Sequence, residues 1–339
     1  MNSRTQPTPT AARLAKSAVI VFIAIAAGLV PLEAQGAESK KGISGKVYFN
    51  WTYDADPDAA GYNEFTFTRL YLSYGKNLSE SIKITLTTDI LNNGTPWVAY
   101  QKYAYLTAKL GKGEVFIGLQ GMNIFNITES NWGYRFLAKS SMDAHKFASS
   151  ADMGLGYAAT FAEKVHLHLT VTNGKGYKYV ENDKYKKLAA QAVFGEKSLA
   201  SHSGFNAGAA FSFEPYEFGI DMTESISVLT VFGAFATESL RIGGEFDRKI
   251  DSGKYTQQII AAYLDYHISA IHKMHVNVFG RVEIYDKNID EPGDELSILA
   301  GLSISPVKTL HIAPTIQIGE LASGDLGLSA LQLNFEFKF

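Results

Sequence analysis

The feature that most constrains this chain is an alternation at period two. Between Leu328 and Phe339, Leu331, Leu333, Phe335, Phe337 and Phe339 fall on one face, and Gln332, Asn334, Glu336 and Lys338 on the other. The same pattern sets Val276, Val278, Val282 and Ile284 against Asn277, Arg281 and Glu283, and Val165, Leu167, Leu169 and Val171 against His166, His168, Thr170 and Thr172. Ile82, Ile84 and Leu86 stand likewise against Lys83, Thr85 and Thr87, and Leu310, Ile312, Ile316 and Ile318 against His311, Thr315 and Gln317. Runs of about ten residues are the length a tilted strand needs to cross a hydrocarbon layer, whereas soluble sandwiches use strands of about five or six. A lipid-immersed backbone must satisfy all its N–H and C=O groups internally, which a sheet achieves only by closing on itself. The expected fold is therefore all-β, a transmembrane antiparallel β-barrel.

Strand parity sharpens that expectation. Alternating runs open at Ile43, Glu64, Ser81, Ala99, Gly113, Ala151, Lys164, Lys187, Ser203, Ser227, Ser239, Tyr255, Lys273, Glu295, Lys308 and Leu328, which makes sixteen. Fourteen stays open because Ser227 to Ala236 is weakly marked. Short connections at 76–80, 111–112, 162–163, 269–272 and 305–307 alternate with longer polar ones around 54–58, 174–186, 214–224 and 286–294. That phase suits periplasmic turns at one end and outer loops at the other. Trp51, Tyr53, Tyr74, Tyr100, Tyr103, Tyr266 and Tyr285 lie towards strand ends and are expected to form interfacial girdles.

The barrel domain is expected at residues 38–339. Residues 1–37 read as a secretory leader that is removed: Arg13 and Lys16 are its basic part, Ala18 to Val30 its apolar run, and Ala34 to Ala37 its cleavage region. Of 31 basic and 34 acidic residues the leader takes Arg4, Arg13, Lys16 and Glu33, so the mature chain keeps 28 and 33, a net charge of −5. That balance leaves no basic footprint for nucleic acid. A chain without cysteine has no disulfide framework or thiolate chemistry.

The longest connection, Met122 to Ser150, follows the fifth strand. A loop of that length in a compact fold is usually functional or disordered, and Trp132, Tyr134, Phe136 and Phe147 make it too aromatic for disorder. Folded into the lumen, it would pack those rings on the wall while Glu129, Arg135, Lys139, Asp143 and Lys146 narrow the opening; the alternative is a loop folded over the mouth or engaged with a neighbouring subunit. The polar register adds Arg69, Lys83, Asp89, Arg241, Glu245, Arg281 and Glu283 to the lumen lining. Arg or Lys facing lipid at the midplane would cost about 2–4 kcal/mol, so the register is physically enforced. Glu245 beside Asp247, and Glu283 beside Arg281, read as local pairs.

Several stretches together resemble a known family. NEFTFTRLYLSYGKNLSESIKITLTTDI, then GEVFIGLQGMNIFNITESNWGYRFLAKSSMDAHKFASSADMGLGY and VTNGKGY, are similar to the porins that include the phosphate-selective porins O and P. The matching elements are Phe65 to Arg69, Asp89, Gly118, Asp152 to Gly154 and Asn173-Gly174. The resemblance implies sixteen strands, a trimer and a third loop inside the pore. Phosphate selectivity in that family depends on a dense lysine and arginine ladder. Here Arg135, Lys139 and Lys146 are opposed by Glu129 and Asp143 in a net acidic chain, so general diffusion is the expectation, with an anion or phosphate preference left open.

The functional expectation is an outer-membrane porin passing small hydrophilic solutes or ions passively, without catalysis, cofactor or metal. The alternative is a structural or adhesive barrel with a plugged lumen. His166 and His168 share a strand face, yet no third ligand at fixed spacing completes a metal site. Terminal Phe339 resembles the signal read by the outer-membrane assembly machinery, and it also completes the last lipid-facing strand.

Overall fold

The computed structural model describes residues 42–59, 61, 63–92, 97–218, 222–271 and 274–339; the expected leader, residues 1–37, lies outside them. The strands are β1 (Ile43–Asp54), β2 (Asn63–Asn77), β3 (Ile82–Leu91), β4 (Val98–Leu110), β5 (Gly113–Gly121), β6 (Ala151–Phe161), β7 (Val165–Thr172) and β8 (Lys187–Gly195). They continue with β9 (Gly204–Glu217), β10 (Thr223–Ala236), β11 (Leu240–Asp251), β12 (Thr256–Ile271), β13 (Met274–Asp286), β14 (Asp294–Val307), β15 (Leu310–Glu320) and β16 (Leu326–Lys338). Each pairs antiparallel with the next and β16 returns to β1, so the sheet closes without an edge. Sixteen strands stand where the alternation places them.

Several expectations need correction. The weakly marked run is a full strand, and β9 and β10 stay paired out to Glu217 and Thr223, which shortens the connection expected at 214–224. The polar residues at these ends zip up because the backbone ladder does not depend on side-chain hydropathy, a bond no hydropathy pattern reports. Similarly residues 269–271, expected in a connection, belong to β12, and Ser305 to Val307 belong to β14, whose turn falls at 308–309. The connection at 196–203 is the longest at the turn end among the described residues, and its Leu199 is buried.

The register separates the faces. Along β7 the apolar Val165, Leu167, Leu169 and Val171 are exposed on the exterior, whereas Thr170 and Thr172 are buried inside. Three of the expected girdle tyrosines instead face inward: Tyr100 packs edge-on against Tyr177, Tyr103 lines an interior recess, and Tyr285 is buried against His145. A strand-end position says how high a ring sits, not which way it points. Conversely, Arg248 pairs directly with the outward Leu229 and so lies on the exterior, three residues from the end of β11. At such a height the penalty for a lipid-facing arginine falls to about 0–1 kcal/mol.

Two bulges interrupt the alternation on one side of the barrel. Opposite Tyr48 and Phe49 of β1, β2 carries the extra residue Thr68, and opposite Thr87 and Thr88 of β3, β4 carries the extra residue Lys102. A bulge re-aims side chains. Here it lets the consecutive Lys102 and Tyr103 both point inward.

Candidate channel constriction

The long connection between β5 and β6 holds two helical turns, α1 (Asn126–Trp132) and α2 (Ser141–Ala144). Gly133, left-handed at φ 74°, ends α1 and donates its N–H to the Glu129 carbonyl, a turn that a side chain would strain. The segment lies on the inner wall through two apolar clusters. Met122, Ile124, Phe125, Met142 and Phe147 pack on Ala189, Ala210, Val228, Ile259, Ala261 and Tyr285. Trp132, Tyr134 and Phe136 pack on Tyr48, Phe279, Leu299 and Ala313. Several of the wall positions are alanines, which leave the volume that the loop's large side chains fill. Burying each such side chain contributes about 1.5–3 kcal/mol.

Polar pins fix the loop's position. Asn131 and Asn206 exchange reciprocal amide hydrogen bonds, each 2.9 Å. The Tyr134 hydroxyl donates to Asp265 at 2.6 Å, and Arg241 reaches both the Trp132 carbonyl (3.2 Å) and Asp265 (3.0 Å). Arg281 donates to the Lys139 carbonyl at 2.6 Å while its guanidinium lies 5.0 Å from the centre of the Trp132 ring. His145 Nε2 sits 2.6 Å from Glu283, its ring stacked on Tyr285. Burial, followed by the neighbouring Asp265 carboxylate, holds the Tyr134 hydroxyl above its ordinary pKa.

The expected lumen charges therefore divide. Arg241, Arg281 and Glu283 hold the loop from beneath, and Glu283 takes His145 in preference to the local Arg281, 3.8 Å away. Glu245 and Asp247 are two like charges, not a local pair, and neither oxygen of the fully buried Asp247 is hydrogen-bonded among the described residues. Lys83 is exposed at the turn end, six positions along β3 from Asp89, or about 20 Å. Arg69 and Asp89 do meet, at 3.3 Å, with Tyr71 accepting from Arg69 (2.7 Å) and Tyr177 donating to Asp89 (2.7 Å). Across from them Arg135 bridges Glu129 (3.2 Å) and Asp143 (3.0 Å) on the loop itself.

Two recesses open beside the loop, the turn-end one against the bulged wall and the loop-end one between Arg69, the 174–179 connection and strands β8 to β11. The one towards the loop end, about 410 Å³, is lined by Arg69, Lys139, Lys146, Lys175, Lys178, Lys187 and Lys249 against Asp143 and Glu214. The one towards the turn end, about 630 Å³, is lined by Lys46, Lys102, Arg135 and Lys338 against Glu129. Burial pushes the Lys139 and Lys178 ammoniums below the usual lysine range. Lys102, Lys178 and the tyrosines around them are functional candidates that the alternation missed. Their sequence signal is a slip of phase: in Ala99-Tyr100-Gln101-Lys102-Tyr103-Ala104-Tyr105 the inward residues run 100, 102, 103, 105 instead of every second position.

The histidines expected in the lumen make structural contacts. His166 bonds Thr160 and the Gly195 carbonyl, each at 2.9 Å, and His168 lies against the Phe116 ring.

No family model matches the chain, and no curated protein matches it either. Solved structures do. The outer membrane channel DcaP of Acinetobacter baumannii aligns with a TM-score of 0.60 at 14% identity, over 90% of this chain and 100% of that one. The anion-selective porin from Comamonas acidovorans aligns with a TM-score of 0.61 at 12% identity, over 88% and 98%. In-vitro folded OmpT of Vibrio cholerae in its trimer form gives 0.60 at 10% identity, over 88% and 98%. The likeness is one of fold: the closed sixteen-stranded antiparallel barrel of this chain aligns with these outer-membrane structures along nearly their full length.

Proposed function

We propose that the chain forms a water-filled channel in a bacterial outer membrane, through which small hydrophilic solutes and ions diffuse down their gradients, with a preference for anions. The observation that carries this reading is the segregation of charge inside the barrel. Asp247, Asp265 and Glu283 lie beneath the loop, the last two beside Arg241 and Arg281, whereas the charged residues lining the two recesses are mostly lysine and arginine, four against one acid and seven against two. Charge lining a narrow, low-dielectric opening biases which ions enter. The porin-type fold supports the channel reading, and the trimer form of OmpT supports a three-subunit assembly. The constricting element is the loop at 122–150, with Arg69, Arg135, Lys139 and Lys146 nearest the path. Short turns at 78–81, 111–112 and 308–309 then face the periplasm, and Phe339, whose ring lies over Gly45, presents the signal for the assembly machinery. No step of covalent catalysis belongs to this function.

Reconstitution into planar bilayers tests it. Stepwise conductance is expected, with a reversal potential of anion-selective sign under a KCl gradient. A tight, silent bilayer would overturn the channel and favour a plugged, adhesive barrel; a cation-selective potential would overturn only the anion preference.

A further inference from the structure

One cation on the open wall lacks a counter-ion. Lys102 is only 6% exposed, yet among the described residues no carboxylate lies within salt-bridge distance of its ammonium and no acceptor hydrogen-bonds it. Its neighbours are ring faces: Tyr71 at 5.0 Å, Tyr103 at 5.5 Å and Tyr177 at 5.8 Å from ring centre to Nζ. The adjacent Arg69 differs, since Asp89 neutralises it, and Arg135 across the opening is held by two carboxylates. Lys102 is thus a buried positive charge without a direct ion pair on the turn-end recess, where Glu129 is the one acid of the lining, and the bulge in β4 brings it there. Lys178 repeats the arrangement one step towards the loop end, 5.5 Å from the same Tyr177 ring and 5.7 Å from Tyr100.

From this geometry we infer that the Lys102–Tyr71–Tyr103–Tyr177 cluster is a binding station for organic anions carrying a flat ring, aromatic monocarboxylates above all. The inference rests on the channel reading and narrows its solute class. Tyrosine faces attract a cation and stack on an aromatic ring, but they offer an incoming anion no hydrogen bonds to replace lost water. A strongly hydrated anion such as phosphate can meet Lys46, Arg135 and Lys338 elsewhere in the recess, but pays a high desolvation cost against the rings beside Lys102. An aromatic carboxylate loses less: its carboxylate meets Lys102 while its ring lies against a tyrosine. The tyrosine cage, not the charge alone, makes the difference.

The experiment uses the full chain in planar bilayers bathed in KCl, with potassium benzoate, cyclohexanecarboxylate, acetate or phosphate added to one side, reading chloride-current block and bi-ionic reversal potentials. Benzoate is expected to bind about threefold or more tightly than cyclohexanecarboxylate, the range an aromatic contact supplies, and more tightly than phosphate. Lys102→Gln should abolish the discrimination while the channel still conducts chloride; Tyr103→Leu should erase the benzoate over cyclohexanecarboxylate difference, and Tyr103→Phe should keep it. A conducting channel that binds phosphate as well as benzoate, or one whose preference survives Lys102→Gln, overturns the station and leaves the channel reading standing. A silent bilayer overturns both.

Discussion

Strands β1 to β4 and strands β8 to β13 face the same lumen on different terms. The second sector keeps its alternation unbroken from β8 to β11, offers small inward residues such as Ala189, Ala210 and Ala261, and carries the buried acids. Its surface accepts the apolar side of the long loop, and Arg241, Asp265, Arg281 and Glu283 pin that loop. The first sector carries two bulges, against one in β12 of the second, together with bulky tyrosines and a lysine without a direct ion pair, and the loop stands off from much of it. A barrel wall of one architecture can thus serve as a shelf on one side and as the face of a path on the other. The chain's net charge of −3 describes neither, because it averages over the paired charges beneath the loop and the lysines that line the recesses.

The comparison breaks most visibly if the loop is removed. Replacing residues 123–149 with a short Gly-Ser linker should raise single-channel conductance severalfold and swing the reversal potential towards cations, because Asp247, Asp265 and Glu283 would then face water. Unchanged conductance would mean that the loop does not set the bore. Next in size is charge reversal on the open side: the Lys139→Glu, Lys178→Glu double variant should shift ion preference severalfold towards cations. An exposed charge at contact distance is worth about 1 kcal/mol in water. A conductance trace of wild-type sign and size would count against the basic path.

Weakening one pin probes the shelf. Tyr134→Phe removes the 2.6 Å bond to Asp265, whose remaining partners are Arg241 and Asn277. The loss of about 1–3 kcal/mol expected for a hydrogen bond to a charged group should loosen the loop without releasing it. Open-channel current noise should rise while mean conductance barely moves; noise equal to wild type would show that the clusters alone hold the loop. The smallest effect concerns pH. Because burial lowers the pKa of Lys139 and Lys178, these two should lose their protons before ordinary lysines as the solution is made alkaline. Anion preference should therefore decline on the alkaline side at pH values where exposed lysines remain charged. A preference that stays constant until all lysines titrate would contradict that order.

Much of the barrel was legible because lipid and water impose opposite demands on successive residues. That is why the starts of β1, β5, β6 and β8 fall where the alternation puts them. The start of β10 at Thr223 was not legible, since its outer end is polar on both faces and only backbone pairing extends it. Within the site, Arg69 with Asp89, and Glu129 with Arg135 and Asp143, are groups whose presence in the lumen the pattern indicates and whose contacts it cannot. The inward turn of Tyr100, Tyr103 and Tyr285, and the burial of Lys102, are not legible in the sequence because an inserted residue shifts the phase locally and a strand-end position sets a ring's height, not its direction.

What the amino-acid sequence determined by itself is the kind of sheet: period-two runs of membrane-crossing length, sixteen in number, with one aromatic loop too long to be a turn. These are local properties, enforced residue by residue through solvation. Which acids lie beneath the loop, which bases stay open, and which lysine is left among tyrosines without a counter-ion depend on residues far apart in the chain meeting across a closed barrel. Only the tertiary structure decides them, because ion pairing and packing are set by distance in space, and closure makes neighbours of positions as remote as Tyr48 and Glu336.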